Sequence, residues 1–115
     1  MLLREDTRVV VCTEPQDMRR GFDRLAQAVK AELGEDPRSG VIFVFVGRRG
    51  DRLKILFWDT TGYAIIYKRL HQATTRVPKA IEPSQRAVEI NVKRLAVMMH
   101  GEAKAPRRGP ARERS

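Results

Sequence analysis

Apolar residues follow two rhythms along this chain, and each change of rhythm marks an element. Val9-Val10-Val11-Cys12 is a mostly β-branched run between charged residues and Thr13-Glu14-Pro15, and it predicts a first strand. Met18, Phe22, Leu25, Ala26, Val29 and Leu33 then recur at spacings of three and four, which places them on one face of a helix over residues 18–33. Thr13 and Gln16 stand at capping-box spacing, Asp17 is a rival N-cap, and Gly34 is the natural stop. Gly21 costs about 1 kcal/mol relative to alanine inside a helix, so an irregular first turn is expected.

After the turn-rich Glu35-Asp36-Pro37-Arg38-Ser39-Gly40 the period shortens. Residues 41–46, 52–58 and 63–70 read as three strands, separated by Gly47-Arg48-Arg49-Gly50 and Asp59-Thr60-Thr61-Gly62. This is an antiparallel meander. Residues 78–85 are irregular, with Pro78 and Pro83 as breakers. Asn91 caps a short helix carrying Val92, Leu95, Ala96 and Met99, which ends at Gly101. The expected fold class is α+β, one domain over residues 1–101 followed by a basic disordered tail over residues 102–115.

Pairing the residues that flank each four-residue turn sets Trp58 against Tyr63, Leu56 against Ile65, Lys54 against Tyr67 and Arg52 against Arg69. In the other hairpin Val46 meets Asp51, Phe45 meets Arg52 and Phe43 meets Lys54. Side chains alternate across a strand, so one face carries Phe43, Phe45, Arg52, Lys54, Trp58, Tyr63, Tyr67 and Arg69. The other carries Ile42, Val44, Leu53, Ile55, Phe57, Ala64 and Ile66, a plain core surface suited to cover by the first helix. The first face interleaves aromatics with cations. That mixture suits a single-stranded nucleic-acid platform, and it equally suits a core covered by the C-terminal helix with charges at its rim.

Composition sharpens the picture. Of 115 residues 42% are hydrophobic, enough for a core without disulfides or metal. The 32% charged share is skewed: 23 Lys+Arg against 14 Asp+Glu gives a net charge of +9, which points to anionic partners without choosing among them. The N-terminal residues form no apolar leader, and the longest purely apolar run, six residues at 41–46, falls far short of the ~20 that span a bilayer. A cytoplasmic protein without membrane contact is expected, nucleoid-associated if it binds DNA. The single cysteine, Cys12, lies in an apolar run and reads as a buried hydrophobe.

Candidate chemistry is sparse. His71 and His100 have no Cys or His partner at ligand spacing, so neither a metal nor any other cofactor is expected. Asp17 reads as a cap, Asp23 as a solvated helix residue, and Asp51 and Asp59 as turn residues. Tyr63 and Tyr67 lack a nearby histidine pair to hold the metal of a strand-transfer enzyme. Gly47-Arg48-Arg49-Gly50 is too short for a Walker loop. What stands out is the cluster Arg48, Arg49, Arg52 and Lys54 beside two glycines, with Lys68 and Arg69 on the next strand, a basic patch able to meet phosphates.

Three blocks of the sequence together resemble a known family. They are Asp17-Met18-Arg19-Arg20-Gly21-Phe22-Asp23-Arg24-Leu25, the run from Phe43 through Gly47-Arg48-Arg49-Gly50-Asp51-Arg52-Leu53-Lys54-Ile55-Leu56 to Asp59, and Gly62 with Lys68-Arg69-Leu70. They resemble the TnpB accessory proteins of the IS66 group of insertion sequences, which share only a label with the RNA-guided TnpB nucleases. The resemblance covers about residues 8–78, is similar in outline over residues 88–101, and does not extend to the tail. It implies a non-catalytic helper encoded beside a separate, larger transposase, and it supplies no catalytic residue. Taken with the basic turn and tail, the leading expectation is a DNA-binding accessory factor whose partners are transposon DNA and that transposase. Two other readings stand beside it: a protein-interaction module without DNA binding, and a small RNA-binding or RNA-cleaving protein.

Overall fold

A computed structural model describes residues 3–104. In chain order the elements are β1 (Val9–Cys12), α1 (Phe22–Ala28, continued by a wider π-type turn over Val29–Leu33), β2 (Ile42–Val46), β3 (Arg52–Asp59), β4 (Gly62–Arg69), β5 (Ala73–Thr74), β6 (Ala87–Ile90), α2 (Val92–His100) and β7 (Glu102–Ala103). Five strands form one sheet in the order β4-β3-β2-β1-β6, while β5 pairs with β7. β1 runs parallel to β2 and antiparallel to β6, and the remaining pairs are antiparallel. The α+β class holds. The three-stranded meander is real but incomplete, because β1 and β6 extend it to five strands.

All four side chains of β1 are buried, and they divide between the two faces of the sheet. Val9 and Val11 join Ile42, Val44, Leu53, Ile55 and Phe57 beneath Leu95 and Met98 of α2. Val10 and Cys12 join Phe43, Phe45 and Leu56 beneath Leu25, Ala26, Ala28 and Val29 of α1 and its continuation. The sheet is therefore the middle of three layers. This reverses the expected cover: α1 lies on the Phe43/Phe45 face, and α2 lies on the Ile42/Leu53/Ile55/Phe57 face. Both centres are apolar because both are covered, so alternation alone could not assign the helices.

The hairpin of β3 and β4 has the expected register, with Trp58 opposite Tyr63 and Arg52 opposite Arg69. The hairpin of β2 and β3 does not. Val46 pairs with Leu53, Phe45 with Lys54 and Phe43 with Leu56. The Gly47 amide donates to the Arg52 carbonyl (2.9 Å), so the loop comprises Arg48 to Asp51 and has slid by one residue along the chain. That slide moves every pair by two, which preserves the assignment of side chains to faces.

The first helix starts later than its apolar spacing predicts. Gly21 is the N-cap residue, without a side-chain cap, and Met18 precedes the helix. Gln16 is not a capping partner because its amide donates to the Val46 carbonyl (2.9 Å), fixing it against β2. Asp17 does not cap either, for its carboxylate accepts from the Arg19 amide (2.9 Å) and guanidinium. Gly34 ends the segment at φ 66°, as its position predicts. The second helix matches closely: Asn91 Oδ1 accepts from the Arg94 amide (2.8 Å), and Gly101 follows the last turn.

The stretch expected to be a disordered tail begins with order. Glu102 pairs with Thr74 and Ala103 with Ala73, the Lys104 amide donates to the Gln72 carbonyl, and Glu102 meets Arg76 at 3.4 Å. Residues 105–115, and the expected disorder there, lie outside the described residues. No helix among the described residues is long and apolar enough to cross a membrane.

Candidate nucleic-acid interface

The β1–α1 connection and the β2–β3 loop are held side by side. The Gln16–Val46 hydrogen bond joins them at their base, and Gly47 lets Met18 lie directly against the strand end. A Cβ on Gly47 would stand 2.8 Å from Met18 Cγ, so only glycine permits this approach. Between the two segments opens a cleft of about 490 Å³. Pro15, Gln16 and Met18 line one side, Gly47 and Arg48 the other, with Arg19, Arg49 and Arg52 around them.

Four arginines, Arg19, Arg48, Arg49 and Arg52, thus line this cleft against two carboxylates, Asp17 and Asp51. Arg19 is already engaged, its Nη2 standing 2.8 Å from Asp17 Oδ2. The paired guanidinium and the Arg19 amide hold the Asp17 carboxyl well below the usual carboxylate range. Arg48 and Arg49 are exposed, and among the described residues neither they nor Arg52 makes a salt bridge. Arg52 Nη1 donates to Tyr67 Oη (3.3 Å). The cleft therefore offers positive charge that its surroundings leave largely unneutralised.

The adjoining packing is polar, with Arg20 Nε buried and without a hydrogen-bond partner among the described residues. Gln16 Nε2 donates to Glu32 Oε1 (3.3 Å) and approaches Cys12 Sγ (3.5 Å), while Arg20 Nη1 donates to Gln16 Oε1 (3.0 Å). Burial pushes the Cys12 thiol up, opposed by its contact with the Glu14 carbonyl. This cluster fixes the β1–α1 connection from inside and hence the position of Met18 and Arg19.

The residues expected from sequence to form one surface are distributed over three places. Arg48, Arg49 and Arg52 gather at the cleft, with Arg69 opposite Arg52 on the same face. Lys68 pairs with Leu53 and so belongs to the α2 face. Lys54 is buried at 8% exposure, its Nζ donating to the Arg20 carbonyl (2.7 Å) and standing 4.7 Å from the centre of the Tyr67 ring. Its ammonium serves the packing of the chain before α1 against the sheet, which corrects its expected place in the basic turn.

The aromatic platform is corrected more sharply. Phe43 and Phe45 are fully buried under α1 and present nothing to a ligand. Trp58 and Tyr63 meet edge to face at 5.1 Å, with the Arg38 guanidinium 4.8 Å over the indole. They lie at the far end of β3, roughly 20 Å from Arg52 at strand spacing. Tyr67 is the member of the set beside the cleft. Sequence reasoning missed Met18 and Arg19 because the period-3.6 pattern absorbed the whole Asp17-Met18-Arg19-Arg20-Gly21 block into a helix. The signal was that block itself, whose glycine argued against an uninterrupted first turn.

The family model of the IS66 Orf2-like proteins matches residues 7–108. The chain belongs to that family. The match extends beyond residues 8–78, taking in β6 and α2, so the IS66 Orf2-like pattern spans both covering helices. Among its relatives is the uncharacterized protein y4jC of Sinorhizobium fredii (strain NBRC 101917 / NGR234), 43% identical over 63 residues, which cover 55% of this chain and 54% of the relative. Another from the same strain, the uncharacterized protein y4hO, is 34% identical over 97 residues, covering 84% of this chain and 82% of the relative. The chain thus spans about half of the first relative and most of the second. No solved structure matches it. The family is an insertion-sequence accessory one rather than a known catalytic family.

Proposed function

We propose that this IS66 Orf2-like protein assists transposition without catalysing it, by holding transposon DNA in the arginine cleft while the partner transposase performs the chemistry. One observation carries the reading: Arg48, Arg49 and Arg52 converge on one cleft, free of salt bridges among the described residues. Phosphates are what such guanidinium groups meet best, through charge-assisted and often bidentate hydrogen bonds. A cleft this small touches two or three phosphates, which positions DNA without reading its sequence. The protein acts at the nucleoid in the cytoplasm on this reading.

A second reading has its own observation. β4 pairs with β3 alone, so its other edge is open among the described residues and can accept a strand from a protein partner. Titrating transposon-end duplex at several salt concentrations, with and without the transposase, separates the two. DNA contact predicts a linear fall of log K with log[salt]; salt-insensitive capture of the transposase with no DNA affinity would establish the protein-interaction reading instead. Tighter binding of RNA would favour an RNA-binding protein.

A further inference from the structure

Beside the cleft lies an exposed aromatic surface that a DNA backbone alone does not use. Tyr67 is 48% exposed, although its hydroxyl accepts from Arg52 and the Lys54 ammonium sits against its ring. That ammonium also donates to the carbonyl of Arg20, two residues before Phe22, itself 49% exposed. One buried cation therefore fixes both the Tyr67 ring and the start of α1. Arg52 belongs to the cleft and to this patch at once, and Arg69 stands opposite it on the same face.

The chemistry of such a surface is specific. Duplex DNA presents its phosphates and hides the flat faces of its bases, so an exposed ring beside arginines gains little from it. A single strand offers both, since unpaired bases stack on aromatic side chains while guanidinium groups track the phosphates. The cleft is within the usual size of small-ligand sites, about 300–1,000 Å³, and admits one unstacked nucleotide. A protein strand would use β4's backbone edge and gain nothing from this concentration of cations.

We propose that the Tyr67–Phe22 patch and the adjoining arginine cleft bind single-stranded DNA, with an unpaired base stacked on Tyr67 and its phosphates against Arg52, Arg48 and Arg49. This deepens the DNA-holding reading and rests on it.

The test is a fluorescence-anisotropy titration of the full chain with labelled oligodeoxythymidine, an oligouridine and a duplex, all of equal length. The single-stranded DNA should bind more tightly than the duplex. Tyr67→Ala and, separately, Phe22→Ala should each weaken single-strand binding roughly tenfold and leave duplex binding within about twofold. Tyr67→Phe, which keeps the ring, should retain single-strand affinity, and Phe22→Ala keeps the test valid should Tyr67→Ala unfold the chain. Equal losses on both DNAs, no loss on either, or tighter binding of oligouridine would overturn the proposal. So would variants that keep DNA affinity yet no longer capture the transposase, which would make the patch a protein-docking surface. If the wild-type chain bound duplex well but showed no preference for single strands, this inference would fail and the DNA-holding reading would stand. Binding to neither DNA would remove both.

Discussion

Lys54 shows how a single residue can mislead a reading of sequence. It lies among arginines, yet its ammonium is nearly buried and committed to the Arg20 carbonyl. Lys54→Met should lower stability by about 1.5–3 kcal/mol, the usual worth of a hydrogen bond to a charged group, while changing DNA affinity less than Arg48→Ala does. Paired thermal melts and DNA titrations would check this. Cys12 behaves as its apolar run implied: it is 1% exposed, with a thiol pushed up by burial. It should react slowly with a thiol reagent in the native state, and rapid labelling would place it outside the core. Asp17 gives a pH prediction. Its folded value is depressed by Arg19, so its contribution is complete above the ordinary aspartate value and is lost only as pH falls through the depressed one. An NMR titration should find the Asp17 midpoint far below that of an ordinary aspartate, and Arg19→Ala should restore it.

At the scale of elements, local pattern located most of the structure and failed where neighbours decide. β1, the body of α1, the three meander strands and the capped α2 all follow from periodicity and from Asn91 or Gly34. β6 was illegible because four residues after a proline-bearing stretch carry too little pattern to declare a strand. The face covered by each helix was illegible for another reason. The mixture of aromatics and cations on the Phe43/Phe45 face suited a ligand platform and a core covered by the C-terminal helix alike. Instead α1 covers the phenylalanines, and Lys54 is buried against the Arg20 carbonyl. The site was legible in part: Arg48, Arg49 and Arg52 gathered as expected, while Met18 and Arg19 arrived through a tertiary contact with Gly47. Leu25 packs on the phenylalanine face and Leu95 on the opposite one, each at most 1% exposed. Leu25→Ala and Leu95→Ala should each cost about 2–5 kcal/mol in denaturant unfolding. Lying on opposite faces of the sheet, they should combine additively.

For the whole molecule, the net charge of +9 acquires meaning from its placement. Arg8 is neutralised between Glu35 and Glu89, and Arg19 by Asp17, whereas the loop arginines remain available at the cleft. β7 brings the chain out beside Gln72 and Thr74, and Thr75 bonds the Gly50 carbonyl of the same loop. β7 therefore lies beside the Ala73–Thr75 segment, which touches the arginine loop at Gly50. Removing residues 105–115 should reduce DNA affinity and leave the thermal midpoint nearly unchanged. The central claim, that this cleft holds DNA phosphates, is tested most directly by the Arg48→Ala/Arg49→Ala double variant, titrated with duplex DNA across a range of salt concentrations. The variant should bind every sequence more weakly and flatten the slope of log K against log[salt] by about 1.8, the loss of two phosphate contacts. Wild-type affinity with a wild-type slope would contradict the account and leave the loop an ordinary solvated turn.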